Sequence, residues 1–380
     1  MRICLYTNTA LPRRGGQEYV VDTLARGLVK ADCHVVVLAP VWADHHDDRD
    51  LPYQVARHPR FISTHRLVDP YAFFLRHLHR RHRFDLVHGH GIYPTGYLAT
   101  RLGIPAVLTS HDGPTSSNPQ SIRRPIIHTR FCSAIRRATA LVAVNDLTRG
   151  SFLQLGVDAT RIVDIPQGFA PELLCDVPVS ELPPGLHSRR FILYLGRLVK
   201  QKGVDILLDA FARQPWRQQG MLVIAGGGVQ EEALRQRAST LGIAQRVVFT
   251  GWIQGRTKVA LLQHALCTVA PSRKAESFCL SALESHAAGT PAIVCNVAGL
   301  RERVEPDVTG WRFEPESPAT LASALQTVWE HPDQAITMGH VARDKAQAYN
   351  WTHIVEQHIR LYDRLIPAKT PIAKGNLPQC

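Results

Sequence analysis

The chain alternates, twice over, between short apolar runs rich in β-branched residues and longer segments of helical pattern. No other feature constrains its fold as tightly. In the first half the runs are RICLYT (2–7), HVVVLA (34–39), DLVHGH (85–90), PAVLTS (105–110), ALVAV (140–144) and IVDI (162–165). In the second they are FILYLG (191–196), MLVIAG (221–226), VVFTG (247–251), CTVAP (267–271), PAIVC (291–295) and GWRF (310–313). Helical patterns fill the gaps, as at 17–30, 203–213, 230–241 and 318–330. Strands that are apolar along their whole length are buried on both faces, which calls for parallel sheets covered by helices on each side. Two such series predict an α/β chain of two Rossmann-like, doubly wound domains, 1–170 and 191–350. The proline-rich, aperiodic stretch 171–190 reads as the linker, and 367–380 as a mobile tail.

Composition narrows the class. The chain has 380 residues, 45% of them hydrophobic, enough for two cores. No run of 18 apolar residues exists, so no membrane span is predicted, and MRICLYT reads as a first strand rather than a signal peptide. The eight cysteines form no CxxC pair, which points to reduced thiols in a cytoplasmic protein and to neither zinc nor disulfides. Residues 1–170 carry 21 Lys and Arg against 13 Asp and Glu; residues 171–380 carry 23 against 19. The excess is densest at RHLHRRHRF, 76–84, inside an apolar-basic segment. It suits either a solvated surface helix or peripheral contact with an anionic membrane. No nucleic-acid-binding module and no aromatic stacking series is present, so no nucleic-acid partner is expected.

In open parallel sheets, ligands bind beyond the carboxyl ends of the strands. Four segments at such positions carry chemistry. LPRRGGQEYV follows the first strand, and Gly15 and Gly16 let backbone approach a ligand ahead of a helix. RLVKQKG follows FILYLG and places Arg197 and Lys202 where cations suit a diphosphate. His111 ends an apolar strand and opens a loop. AESFCLSALESHAAGTP carries Glu276 at an expected helix start and Glu284 within the helix. Eight helical positions span roughly 12 Å. A glycosidic acid–base pair stands closer, at about 5 to 9.5 Å, so the two do not read as one. Between them lie the N–H groups of Phe278, Cys279 and Leu280, an anion site at a helix N-terminus. Carboxylate, anion site, carboxylate fits a ligand with hydroxyls at both ends and phosphate in the middle; a solvated helix with two exposed acids fits as well. His88 and His90 alternate on one strand, but no third ligand follows at metal spacing, and DHHDD (44–48) reads as a solvated loop. Neither glycine cluster completes GxGxxG, which argues against a dinucleotide.

Taken in order, GGQE, DLVHGHG, LTSHDG, GRLVKQKGVDILLDAF, ESFCLSALESHAAGTPAI and GLRERVEPDVTGWRFEPESP resemble the family 4 retaining glycosyltransferases of the GT-B fold. The resemblance implies a deep cleft between the domains and a helix at 351–366 returning to the first. It implies that Arg197 and Lys202 grip the donor diphosphate. Glu276, with Ser277 or the amides of Phe278, Cys279 and Leu280, would hold the donor sugar and diphosphate. Glu284 would hold the ribose, and Gly15 and Gly16 would close from the other domain. His111 would stand at the reaction centre with Asp112 orienting it, His90 would lie near the acceptor, and Trp252 would stand near the nucleobase. No metal or other cofactor is implied. The co-substrate is a nucleoside diphosphate sugar, the acceptor a lipid-linked or small-molecule glycan, and the mechanism a same-face attack with retention. The acceptor surface would include the loop 113–125.

Three departures stand out. Cys279 replaces a usual Gly, SHAAG a usual AMAxG, and Gln167 the Asn of PNG. At a helix N-terminus the Cys279 thiol would be acidic and reactive; turned into the core it would be inert. The alternatives for the chain as a whole are a GT-B sugar-nucleotide epimerase and a non-catalytic protein that binds sugar nucleotides or polyanions.

Overall fold

A computed structural model describes residues 1–11, 15–41, 48–59, 68, 70–111 and 124–367. Asp112, most of the 113–125 loop, most of DHHDD and the tail from 368 lie outside the described residues. Among the described residues there are two wholly parallel sheets.

The first sheet contains β1 (Arg2–Thr7), β2 (His34–Pro40), β3 (Gln54–His58), β4 (Leu86–His90), β5 (Ala106–Thr109), β6 (Ala140–Ala143) and β7 (Ile162–Asp164), in the order β3-β2-β1-β4-β5-β6-β7. The second contains β8 (Phe191–Leu195), β9 (Met221–Ala225), β10 (Val247–Gly251), β11 (Cys267–Ala270), β12 (Ala292–Cys295) and β13 (Gly310–Phe313), ordered β10-β9-β8-β11-β12-β13. Each order reverses once, between β1 and β4 and between β8 and β11. At such a switch point adjacent loops leave in opposite directions and open a crevice at the carboxyl edge. The fold is therefore two doubly wound parallel α/β sheets, as the alternating pattern predicts.

The longer helices among the described residues are α1 (Gly16–Lys30), α2 (Tyr71–His82), α3 (Pro125–Arg137), α4 (Asp146–Gln154), α5 (Val204–Ala212), α6 (Glu231–Thr240), α7 (Gly255–His264), α8 (Leu280–Ala287), α9 (Pro318–Glu330), α10 (Pro332–Ala346) and α11 (Trp351–Leu365). Side-chain caps fix several starts: Asn145 accepts from the Thr148 N–H, Ser317 from Thr320 and Asn350 from Thr352. Apolar clusters line both faces of each sheet. The 171–190 stretch packs rather than dangles: Leu173, Val177, Leu182 and Leu186 are buried in the same cluster as Phe191 and Leu193 of β8. After α10 the chain crosses back. The Phe169 N–H donates to the Tyr349 carbonyl at 3.0 Å, and Trp351, Ile354, Leu361 and Tyr362 of α11 pack with Val20, Leu24 and Leu28 of α1. One strand escaped the sequence pattern. β3, QVARH, is a half-buried edge strand with polar residues at most positions, so it lacks the continuous apolar signal of the others.

Candidate active site

The two switch points bring four loops together: those after β1 and β4 in the first half and after β8 and β11 in the second. The first carries Gly15 and Gly16, the third Arg197 and Lys202, and the fourth Glu276 to Cys279. Gly15 is the extended N-cap residue of α1 and Gly16 its first residue. A Cβ on Gly16 would stand 3.3 Å from Leu280 Cδ1, so the amino ends of α1 and α8 meet across the halves. Both macrodipoles then direct partial positive charge at the same space.

Glu276 does not stand at the helix start. Helix α8 begins at Leu280, after a non-helical Cys279 (φ −79°, ψ 84°), and the Leu280 N–H closes on the Phe278 carbonyl at 3.0 Å. That turn delays the helix and occupies one of the three amides expected to be open. Glu276 lies in the preceding loop, its N–H donating to the Ala298 carbonyl at 3.1 Å. The loop is seated on Gly299 (φ +83°), where any Cβ would stand 1.4 Å from the Glu276 carbonyl oxygen. Lys202 Nζ pairs with Glu276 Oε1 at 2.5 Å, and Ser272 Oγ donates to the same oxygen. Arg197 is exposed. Arg273 clips this loop to the Lys202 loop. It holds Asp205 at 2.7 and 2.8 Å and the Lys200 carbonyl at 2.9 Å. Burial pushes the Asp205 carboxyl up, but the hydrogen bonds and charge of Arg273 outweigh it and hold it below the ordinary range.

Glu284 is buried within α8, and Lys258 of α7 donates to its Oε1 at 2.6 Å. The Lys258 ammonium also stands 5.8 Å from the Tyr19 ring centroid of α1. Each motif glutamate thus has its own lysine. Lys258 has no signal in the sequence: a single lysine in GRTKVALL is indistinguishable from a solvated one. Ser277 is buried with its Oγ unpartnered, and Phe278 is buried. Cys279 corrects the expectation of a reactive thiol. It is the N-cap residue, 2% exposed, packed in the core of the second sheet. Burial, reinforced by the Glu276 charge, pushes its thiol up and outweighs the pull of Lys202 and the helix end. Trp252 is 42% exposed and lies over the Gly227 backbone rather than in a core.

The histidines form a chain behind the first-half loops. His90 Nδ1 meets His111 Nε2 at 2.9 Å, and Gln167 Nε2 meets His111 Nδ1 at 3.2 Å. His88 is bonded at both ring nitrogens, at 2.7 Å to Tyr362 of α11 and at 2.7 Å to Thr109. With both nitrogens occupied it has no lone pair for a metal. No group of three or more His, Cys, Asp or Glu among the described residues is arranged to hold one. Burial first, then the charge of His358, pushes His111 down to about 4, so its imidazole is neutral at pH 7. Gln167 therefore reaches His111 directly from the position where the resemblance has asparagine.

Two facing doubly wound halves, with helix amino ends and paired acidic and basic side chains between them, define the GT-B class. Residues 184–345 match the family profile described as glycosyl transferases group 1, and residues 14–173 match Glycosyltransferase Family 4. The GDP-mannose-dependent alpha-(1-6)-phosphatidylinositol monomannoside mannosyltransferase of Mycobacterium tuberculosis is 32% identical over 379 residues, covering 92% of this chain and 95% of that protein. An uncharacterized glycosyltransferase of Methanocaldococcus jannaschii is 33% identical over 178 residues, 46% of this chain and 45% of that protein. The Anabaena protein HepE, solved in complex with UDP, superposes with a TM-score of 0.81 at 20% identity, covering 96% of this chain and 100% of HepE. The chain belongs to glycosyltransferase family 4. It is a glycosyltransferase of the GT-B fold.

Proposed function

We propose that the enzyme moves a hexosyl group from a nucleoside diphosphate sugar to an acceptor hydroxyl with retained anomeric configuration. The observation that carries this is the pair Glu276 and Glu284, each held by a lysine, on either side of the amino end of α8, with the amino end of α1 opposite. In this scheme Arg197 and Lys202 take up the diphosphate charge, together with the backbone at Gly15, Gly16, Phe278 and Cys279. Glu276 and Ser277 hold the sugar, and Glu284 the ribose. Neutral His111 stands beside the sugar, backed by His90 and Gln167. The acceptor oxygen bonds C1 on the face from which the phosphate departs, the C1–O bond to phosphate breaks, and the acceptor proton passes to a phosphate oxygen. The protein supplies position and electrostatic stabilisation, with no metal and no covalent enzyme intermediate.

The mycobacterial relative is named for GDP-mannose and a phosphatidylinositol mannoside, so GDP-mannose and an inositol glycolipid are the first pair to test. A lipid-linked acceptor agrees with α2. One face of that helix carries Phe73, 64% exposed, beside exposed Arg76, His77 and Arg80. The four stand at 73, 76, 77 and 80, the spacing of a helical stripe. Such a stripe gives peripheral, salt-sensitive contact with anionic lipid. No helix among the described residues is long and apolar enough to cross a membrane. A thermal-shift panel of nucleotide sugars, followed by mass spectrometry of products formed with inositol glycolipid vesicles, tests the proposal. A midpoint rise and a product heavier by one hexose are expected. Neither response with any nucleotide sugar would reject it.

A further inference from the structure

The first half reaches the donor loop through a side chain that already has another task. Asn145 follows β6 and caps α4, its Oδ1 accepting from the Thr148 N–H at 2.8 Å. Its Nδ2 donates across the halves to the carbonyl of Ser277. Ser277 lies between Glu276 and Phe278, in a segment whose own side-chain hydroxyl is buried without a partner. A trans peptide is planar, with its C=O and N–H pointing opposite ways. A bond that fixes the Ser277 carbonyl toward the first half therefore fixes the direction of the Phe278 N–H.

We infer that Asn145 is a positioning residue, latching the two halves together at the donor loop and setting the peptide that presents the Phe278 amide to the diphosphate. This rests on the donor assignment proposed above. The amide side chain is what lets one residue do both jobs. Its oxygen caps the helix while its nitrogen crosses the cleft. Serine or aspartate would cap α4 equally well but offers no N–H in the second direction. Other contacts between the halves here, among the described residues, are apolar or diffuse: Gly16 against Leu280, Val144 and Phe169 in one cluster with Phe278 and Leu283, and Lys258 beside Tyr19. Asn145 supplies a directional one.

The isosteric substitution Asn145→Asp separates the two roles. It keeps the oxygen that accepts from Thr148 and replaces the N–H donor with a carboxylate oxygen facing the Ser277 carbonyl. Asn145→Ala removes both. The full chain is used throughout. The aspartate variant is expected to keep wild-type hydrogen exchange over 146–154, where its oxygen still caps α4, while exchange over 276–283 quickens in the free protein. Its affinity for GDP or UDP, measured by calorimetry, should fall about tenfold, the loss typical of one directed hydrogen bond to a charged group. The alanine variant should show the same two changes and a lowered midpoint. Wild-type exchange over 276–283 in the aspartate variant would overturn the latch. Faster exchange with unchanged affinity would overturn the positioning role. Failure of the wild type to bind either nucleotide would strike the donor assignment instead, leaving exchange to decide the latch.

Discussion

At the scale of single residues, the site rests on two acid–lysine pairs whose members had unequal sequence signals. Glu276, Glu284, Arg197 and Lys202 were legible because family motifs fix their spacing and strand ends fix their location. Lys258, Arg273 and Asn145 were not, because each acts on a partner brought near only by the fold: Lys258 on Glu284, Arg273 on Asp205, Asn145 on Ser277. If the pairs divide the donor as proposed, Glu284→Ala weakens nucleotide binding while Glu276→Ala chiefly lowers turnover. Each should cost about 10- to 150-fold, the range for a hydrogen bond to a charged group. Calorimetry with the nucleoside diphosphate and steady-state rates with the sugar donor measure the two separately, and equal behaviour of the variants would contradict the division. Cys279 shows what spacing alone misses. Its position at a helix end suggested acidity, and its burial decides against that. Limited alkylation with peptide mapping should modify exposed Cys175 well before Cys279, with or without nucleotide.

At the scale of elements, α11 ties the second half of the chain back to the first sheet. The family resemblance implied this helix at 351–366, but not the residue it must clear. A Cβ on Gly27 of α1 would stand 2.4 Å from Val355 Cγ2 of α11, and a β-branched valine has little rotamer freedom to yield. Gly27→Val should therefore cost about 1–3 kcal/mol through overpacking and lower the thermal midpoint. An unchanged midpoint would mean the helices are not so closely set. His358 of the same helix faces His88, which stacks on His90, and His90 in turn meets His111. Burial pushes His358 and His111 down to about 4, and His88 and His90 well below their ordinary value. In the unfolded chain each titrates near 6.5. The native state must keep them neutral, so their contribution is whole above about pH 6.5. It is lost as pH falls toward 4, by up to about 1.4 kcal/mol per histidine for each pH unit. Denaturant unfolding between pH 7.5 and 5 should show falling stability, with a shallower fall for His358→Phe. The strands were legible where they are apolar on both faces. β3 was not, because an edge strand needs no such pattern.

At the scale of the molecule, the two sheets explain why the candidate site is built from loops distant in sequence. Each reversal of strand order opens a crevice, and the halves set the two crevices face to face. The parallel architecture followed from apolar runs and helical gaps; the meeting of α1 with α8 did not, because no local pattern encodes the placement of one domain on another. That meeting points the partial positive ends of two helices at the centre of the cleft, with Glu276 and Glu284 on either side of it. The basic, phenylalanine-bearing face of α2 should give vesicle binding that fades with salt. Sedimentation with anionic vesicles measures it, and Arg80→Glu should weaken it. In the proposed reaction this cleft directs the acceptor to the face from which the diphosphate leaves. Proton NMR of the anomeric region during turnover of an α-linked donor such as GDP-α-D-mannose tests it most directly. An α-anomeric signal in the glycoside formed is the predicted result; a β signal would contradict it.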